Sequence, residues 1–157
     1  MNCYTLYPSP VGSLVLTSDG EALTGLWMET HNYDISGLPR QDALPLFDAV
    51  RHWLDDYFAG KHREIDFPLS PVGTDFQRKV WEILLSISYG EITTYGAIAK
   101  QLGEKMSAQA VGQAVGRNPI SIIIPCHRCV GAKGQLTGYA GGLDQKKWLL
   151  THEEVTK

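Results

Sequence analysis

The chain opens on strand-like stretches at residues 4–7, 14–17 and 23–28, and turn clusters divide them. The clusters are Pro8-Ser9-Pro10-Val11-Gly12 and Ser18-Asp19-Gly20-Glu21. This pattern predicts an antiparallel meander, with Asp19-Gly20 as a hairpin signal. Residues 29–41 are polar, contain Gly37 and Pro39, and read as a loop. Over 42–59 the apolar period becomes helical. Leu46, Val50, Trp53, Leu54 and Tyr57 share one face and Gly60 stops the run, so a helix should cover one side of the sheet. Residues 60–73, with Pro68, Pro71 and Gly73, read as a linker.

The second half reads as helices. Thr74-Asp75-Phe76-Gln77 has the form of a capping box, and Phe76, Val80, Ile83, Leu84 and Ile87 follow as an apolar stripe. Thr94 is placed to cap a helix over 95–102 closed by Gly103, and Ser107 to cap another over 108–117 ended by Asn118-Pro119. Two short helices joined by Gly103-Glu104-Lys105-Met106 match a helix-turn-helix. The second is rich in small residues: Ala108, Ala110, Gly112, Ala114 and Gly116. Such a face suits close packing on another helix or on DNA. A last helix over 143–154 should turn Trp148 and Leu149 inward. The fold class is therefore α+β, with a small antiparallel sheet and a helix over 1–70 and a helical domain over 71–157.

Length and composition narrow the class. A chain of 157 residues, 43% hydrophobic, has enough apolar material for a core and is not a disordered segment. The start lacks the basic and apolar regions of a secretory signal, and no apolar run approaches a membrane span. Cys3, Cys126 and Cys129 are three cysteines without a framework spacing, which suits reduced thiols and a cytoplasmic location. Residues 1–70 carry four basic and ten acidic side chains, net −6; residues 71–157 carry ten basic and seven acidic, net +3. A basic second half beside an acidic first half suits a polyanionic partner or ordinary surface scatter.

The chemistry concentrates at Ile122-Ile123-Ile124-Pro125-Cys126-His127-Arg128-Cys129. The short β-branched run predicts a buried strand or extended segment, and Pro125 should hold Ile124 extended. A buried lead-in to a rigid turn fixes one side chain in place, here Cys126. That cysteine reads either as a nucleophile or as a small core hydrophobe. The C-x-x-C spacing of Cys126 and Cys129 admits a redox motif. No second Cys/His pair stands at zinc spacing, so no metal is expected.

Taken together, several motifs resemble the O6-alkylguanine-DNA alkyltransferases. They are Phe76-Gln77 with Val80-Trp81, Tyr89-Gly90-Glu91, Thr94-Tyr95-Gly96, Ala110-Val111-Gly112, Asn118-Pro119, Ile124-Pro125-Cys126-His127-Arg128, Gly138-Tyr139-Ala140-Gly141-Gly142-Leu143, and Leu149-Leu150 with Glu153. The likeness covers residues 74–154 in order. Residues 1–70 resemble the family's N-terminal domain through Ser9-Pro10-Val11-Gly12 and Leu23-Thr24-Gly25-Leu26-Trp27.

The resemblance implies a winged-helix-like DNA-binding domain and a one-shot repair protein. A monomer would move the alkyl group of O6-alkylguanine in double-stranded DNA, with O4-alkylthymine a second candidate substrate, onto its own cysteine. It would need no cofactor and no membrane. It would act in the cytoplasm, at the nucleoid, or in the nucleus of a eukaryotic cell. Cys126 would be the acceptor, His127 the base and Glu153 its orienter, with a water carrying the proton because neighbours in an extended chain point apart. Without the resemblance, Glu153 reads as a solvated helix-end charge. Tyr95 would contact the base, Asn118 would brace the turn, and Tyr139 would close over the flipped base. Ala108, Ala110 and Gly112 would face the minor groove, Arg128 is placed among the DNA-contacting residues, and Arg78, Lys105 and Arg117 would meet phosphates.

Three positions depart from the family pattern. Gln109 stands where an arginine usually replaces the flipped nucleotide, and it lacks the planar charge. Cys129 stands where valine is usual. Thr137 sits in the active-site loop, where small residues govern bulky adducts. The alternatives are a lesion sensor, which would lack the cysteine, a regulator without chemistry, and a Cys-His hydrolase with turnover.

Overall fold

The computed structural model describes residues 2–103, 105–136, 139 and 142–157. Three strands open it: β1 (Cys3–Ser9), β2 (Gly12–Ser18) and β3 (Leu23–Trp27). They pair antiparallel in the order β1-β2-β3, with Ser9 opposite Gly12 at the first hairpin. Cys3, Thr5 and Tyr7 of β1 are buried while Tyr4 and Leu6 are not, the alternation of a strand with one covered face.

Helix α1 (Pro45–Phe58) lies against β1, and the Tyr7 hydroxyl donates to Asp55 Oδ1 at 2.6 Å. It begins three residues later than the apolar period suggested. Pro45 occupies the first turn, where its missing N–H costs nothing, and holds Leu44 extended. Asp42 is drawn out of the helix by Thr5 Oγ1 and Arg40, whose donors its Oδ1 accepts at 2.7 and 2.8 Å. The loop before it starts with a 3-10 turn, Glu29–His31, that was not anticipated. The stretch read as a linker is pinned to the sheet: Leu23 N–H donates to Pro68 O at 2.9 Å and Ser70 N–H to Leu23 O at 2.8 Å.

The second half holds α2 (Asp75–Leu85), β4 (Thr93–Thr94), α3 (Tyr95–Leu102), α4 (Ala108–Gly116), β5 (Cys129–Val130) and α5 (Leu143–Thr156). The three expected caps are formed. Thr74 and Gln77 exchange side-chain and backbone bonds at 3.1 and 2.9 Å, Thr94 Oγ1 accepts from Ala97 N–H at 3.0 Å, and Ser107 Oγ from Ala110 N–H at 3.1 Å. Each satisfies an amide that the helix cannot. Helices α3 and α4 pack on each other, and α2 joins them through Trp81, whose Nε1 donates to Ala114 O at 2.9 Å. Strands β4 and β5 pair in parallel.

One contiguous core links both halves, from Leu14 and Leu26 through Trp53, Trp81 and Ile98 to Ile124 and Leu149. The backbone crosses between them as well: Leu26 N–H donates to Pro119 O at 2.9 Å and Ser121 N–H to Leu26 O at 3.3 Å. Trp148 is only half-buried, and the inner face of α5 is instead Lys146, Leu149 and Glu153.

Candidate active site

Residues 122–124 do not form the expected strand. They make a buried turn wrapped around the side chain of Asn118. The Asn118 amide donates to Ile124 O at 2.8 Å and Ile120 O at 3.4 Å, and its oxygen accepts from Ile120 N–H at 3.0 Å. One side chain thus supplies the bonds that a neighbouring strand would have supplied, which periodicity alone does not show. Ile122 is held at φ 70°, a left-handed conformation that costs a β-branched residue roughly 1–3 kcal/mol.

Pro125 follows at φ −80° and ψ 66°, with Cys126 N–H donating to Ile124 O at 2.7 Å. This is an inverse γ-turn, and the proline ring presets its φ. A 3-10 turn, Cys126–Arg128, comes next, closed by bonds from Arg128 N–H to Pro125 O and from Cys129 N–H to Cys126 O. The Pro125–Arg128 segment is therefore coiled rather than extended.

Cys126 is 4% exposed. Burial pushes its thiol up, while the neighbouring Asn118, Tyr139 and Ser121 side chains and the Lys146 charge pull the other way. The Tyr139 hydroxyl is buried beside Cys126 and Ser121, without a hydrogen bond of ordinary geometry to the described residues. Lys146 is 1% exposed; its Nζ donates to Cys129 O at 2.7 Å and stands 5.9 Å from the Tyr139 ring centre. A buried ammonium beside two thiols favours their ionised forms. Cys129 is fully buried, and desolvation pushes its thiol up to about 12 despite Lys146.

Behind the cysteine lies a buried ionic cluster. His127 is 0% exposed and its Nε2 meets Glu153 Oε2 at 2.5 Å. Arg128 Nε donates to Glu153 Oε1 at 2.7 Å and its Nη1 to Ile87 O at 2.6 Å. Burial would raise the Glu153 carboxyl, but His127 and Arg128 together hold it well below the usual carboxylate range. An ionised carboxylate only accepts, so His127 carries its proton on Nε2. The other ring nitrogen, Nδ1, is buried and makes no hydrogen bond to the described residues. For His127 desolvation lowers the pKa and outweighs the attraction of Glu153.

These shifts have a consequence for stability. The unfolded chain protonates histidine near pH ~6.5, while folded His127 resists the proton, so unfolding takes up protons and stability falls as pH drops through that value. Glu153 acts in the same direction below about pH 4.3, where the unfolded carboxylate protonates and the folded one does not. Urea midpoints should fall from pH 7 to pH 5 in the wild type and fall less in His127→Gln. Parallel curves for the two proteins would contradict the assignment.

The sequence profile described as 6-O-methylguanine DNA methyltransferase, DNA binding domain, matches residues 75–155, and that of the ribonuclease-like domain matches residues 2–71. The chain belongs to the 6-O-methylguanine DNA methyltransferase family. It is 46% identical over 154 residues to the methylated-DNA–protein-cysteine methyltransferase of Haemophilus influenzae, covering 97% of this chain and 86% of that one. Its fold matches the crystal structure of Mycobacterium tuberculosis O6-methylguanine methyltransferase with a TM-score of 0.89 at 45% identity, over 100% of this chain and 95% of that one. It matches the M. tuberculosis OGT in complex with DNA equally well, over 98% and 93%.

In this member of the 6-O-methylguanine DNA methyltransferase family, Cys126, His127, Glu153, Asn118 and Tyr139 gather at one place. Arg128 gathers there too, but turned inward onto Glu153 and Ile87 O, a placement unlike the DNA contact expected of it. Tyr95 heads α3 with its ring beside Gly112, where an added Cβ would stand 3.7 Å from it. Ala108 and Gln109 are exposed on α4, and Ala110 and Gly112 are half-buried there. Thr137 lies outside the described residues. Sequence reasoning missed Lys146 and the partner of Tyr57. Lys146 carried a signal, since 146, 149 and 153 share one helical face and a lysine there is out of pattern. Tyr57 carried none, because its hydroxyl meets Glu153 across 96 residues.

Proposed function

We propose that this chain is a methylated-DNA–protein-cysteine methyltransferase that repairs O6-alkylguanine in double-stranded DNA by one irreversible transfer to Cys126. The observation that carries the reading is a buried cysteine next to a buried His127–Glu153 pair, in a chain of this family. Nδ1 of His127 takes the thiol proton through a water. The thiolate attacks the alkyl carbon, an S–C bond forms, and the C–O6 bond breaks with its electron pair left on the base as C6=O6 forms. N1 gains, by way of water, the proton that His127 took from the thiol. Guanine is restored and the protein keeps a thioether.

Tyr95 and Tyr139 are the residues proposed to bind the extruded base, and Asn118 to hold the turn that presents Cys126. A winged-helix-like docking of α4 in the minor groove would use Ala108, Ala110 and Gly112 for close approach. Exposed Arg78, Lys105 and Arg117 would meet phosphates. Among the described residues no helix is long and apolar enough to cross a membrane. Action as a monomer on DNA in the cytoplasm, at the nucleoid or in a nucleus, and reaction with O4-alkylthymine, are parts of the same proposal.

Intact-mass spectrometry tests it. A duplex with one O6-methylguanine should add one methyl to each chain and then stop. Continued turnover of a small ester, with no mass gain, would make the protein a Cys-His hydrolase instead.

Gln109 offers a second test. It is exposed on α4, and it is shorter than an arginine and lacks the charge. Gln109→Arg should speed transfer from duplex DNA about tenfold, the scale of one stacking contact, and leave reaction with free O6-benzylguanine unchanged. The free base needs no flipping, so equal acceleration on both substrates would place Gln109 at the chemistry instead.

A further inference from the structure

The Glu153 oxygen that meets His127 takes a second hydrogen bond, which the Cys–His–Glu chemistry does not use. Tyr57, on α1, donates its hydroxyl to Glu153 Oε2 at 2.6 Å, the same oxygen that meets His127 Nε2 at 2.5 Å. Both residues are buried. The Tyr57 ring is itself fixed, stacked on Trp53 with centres 5.5 Å apart and meeting Tyr89 edge-on at 5.8 Å. We infer that Tyr57 is a positioning residue for the alkyl transfer, setting the Glu153 carboxylate so that His127 keeps its proton on Nε2 and its lone pair on Nδ1. The inference rests on the function proposed above.

Two physical effects support it. Oε1 is held by Arg128 Nε at 2.7 Å and, weakly, by Gly90 N–H at 3.4 Å. Without Tyr57, Oε2 would be held by His127 alone, and carboxylate and imidazole could turn together. With Tyr57, both carboxylate oxygens are held from outside the pair and the plane is fixed. The second effect is electronic. A second donor on Oε2 draws charge from it and weakens it as a base, so the proton stays on the imidazole. Tyr57 is a donor at every working pH, because burial and then the Glu153 charge push its hydroxyl far above its ordinary value.

The titratable and charged groups around His127 are Glu153 and Lys146 on α5, Cys126 and Arg128 on its own turn, Tyr57 on α1, and Tyr89 before β4. Removing the phenol leaves more negative charge on Oε2. The imidazole then holds an extra proton more tightly, and the acid limb of the pH–rate profile moves to higher pH.

The test is single-turnover transfer by the full chain across pH, for wild type and Tyr57→Phe. The variant should react about tenfold more slowly with free O6-benzylguanine and with duplex DNA alike, and its acid limb should shift upward. In a Glu153→Gln background the same change should have no further effect on rate. Nitrogen-15 spectra of the wild type should show His127 protonated on Nε2, a reading that does not depend on the variant folding. An unmoved acid limb, a loss confined to duplex DNA, an additive loss with Glu153→Gln, or rapid tautomer exchange in the wild type would each overturn the role of Tyr57. A wild type that accepts no methyl at Cys126 would instead overturn the proposed function.

Discussion

Cys126→Ala should accept no alkyl group from either duplex DNA or free O6-benzylguanine, while binding duplex DNA as the wild type does. The loss is complete because the residue is consumed stoichiometrically, so there is no slower route through a neighbour. Cys129 is the nearest rival, but it starts β5, whereas it is Cys126 that has the Asn118, Tyr139 and Ser121 side chains beside its thiol. Cys3 sits at the start of the meander, on β1. Binding should survive because the exposed face of α4, with Ala108 and Gln109, does not include residue 126. Peptide mapping of the methylated wild type and a gel-shift titration of the variant check both halves. A methyl found on Cys129, or an alanine variant that still gains mass, would refute the assignment.

Glu153→Ala should be the most damaging single change that leaves the nucleophile in place. Four groups point at this carboxylate: His127, Tyr57, Arg128 and the Gly90 amide. Removing it leaves Arg128 buried without its counter-charge, a change that typically costs about 3–5 kcal/mol. Whole domains are stable by only about 5–15 kcal/mol, so the variant should melt far below the wild type. The rate on free O6-benzylguanine should fall about 10²–10⁴-fold, the usual share of a general base, because His127 loses its fixed tautomer. Glu153→Gln separates the two effects, since it keeps the volume and some hydrogen bonding. Wild-type transfer by a folded Glu153→Gln protein would remove the carboxylate from the chemistry.

The parts of this fold that could be read from the chain are those whose causes are local. Thr74, Thr94 and Ser107 cap the helices that follow them because the bond spans three residues. The meander was legible for the same reason, since its turns carry their own backbone preferences. Residues 122–124 were misread because their hydrogen bonds come from a side chain, Asn118, and not from a pattern in the run itself. The start of α1 was missed by three residues because Pro45 and the partners of Asp42 outweigh the apolar period. At the site, Cys126 stands out by its place after the apolar run and Pro125, while the roles of His127 and Glu153 come only through the resemblance to a family. The inward turn of Arg128 and the bond from Tyr57 depend on which surfaces meet, and single-sequence patterns do not carry that information.

The γ-turn at Pro125 has a consequence for how such a chain can change over time. Proline presets one dihedral, Asn118 ties the loop on both sides, and Ile122 is already in a conformation that few residues tolerate. A mutation in this segment can hardly be absorbed by a small shift of its neighbours, because each neighbour is bound to the same amide or packed beside it. Variation that tunes such a protein to different lesions has more room at exposed positions of α4 such as Ala108 and Gln109, which hold up no part of this turn. The turn is the part least free to drift, and exposed helix surfaces are where one lineage can come to differ from another.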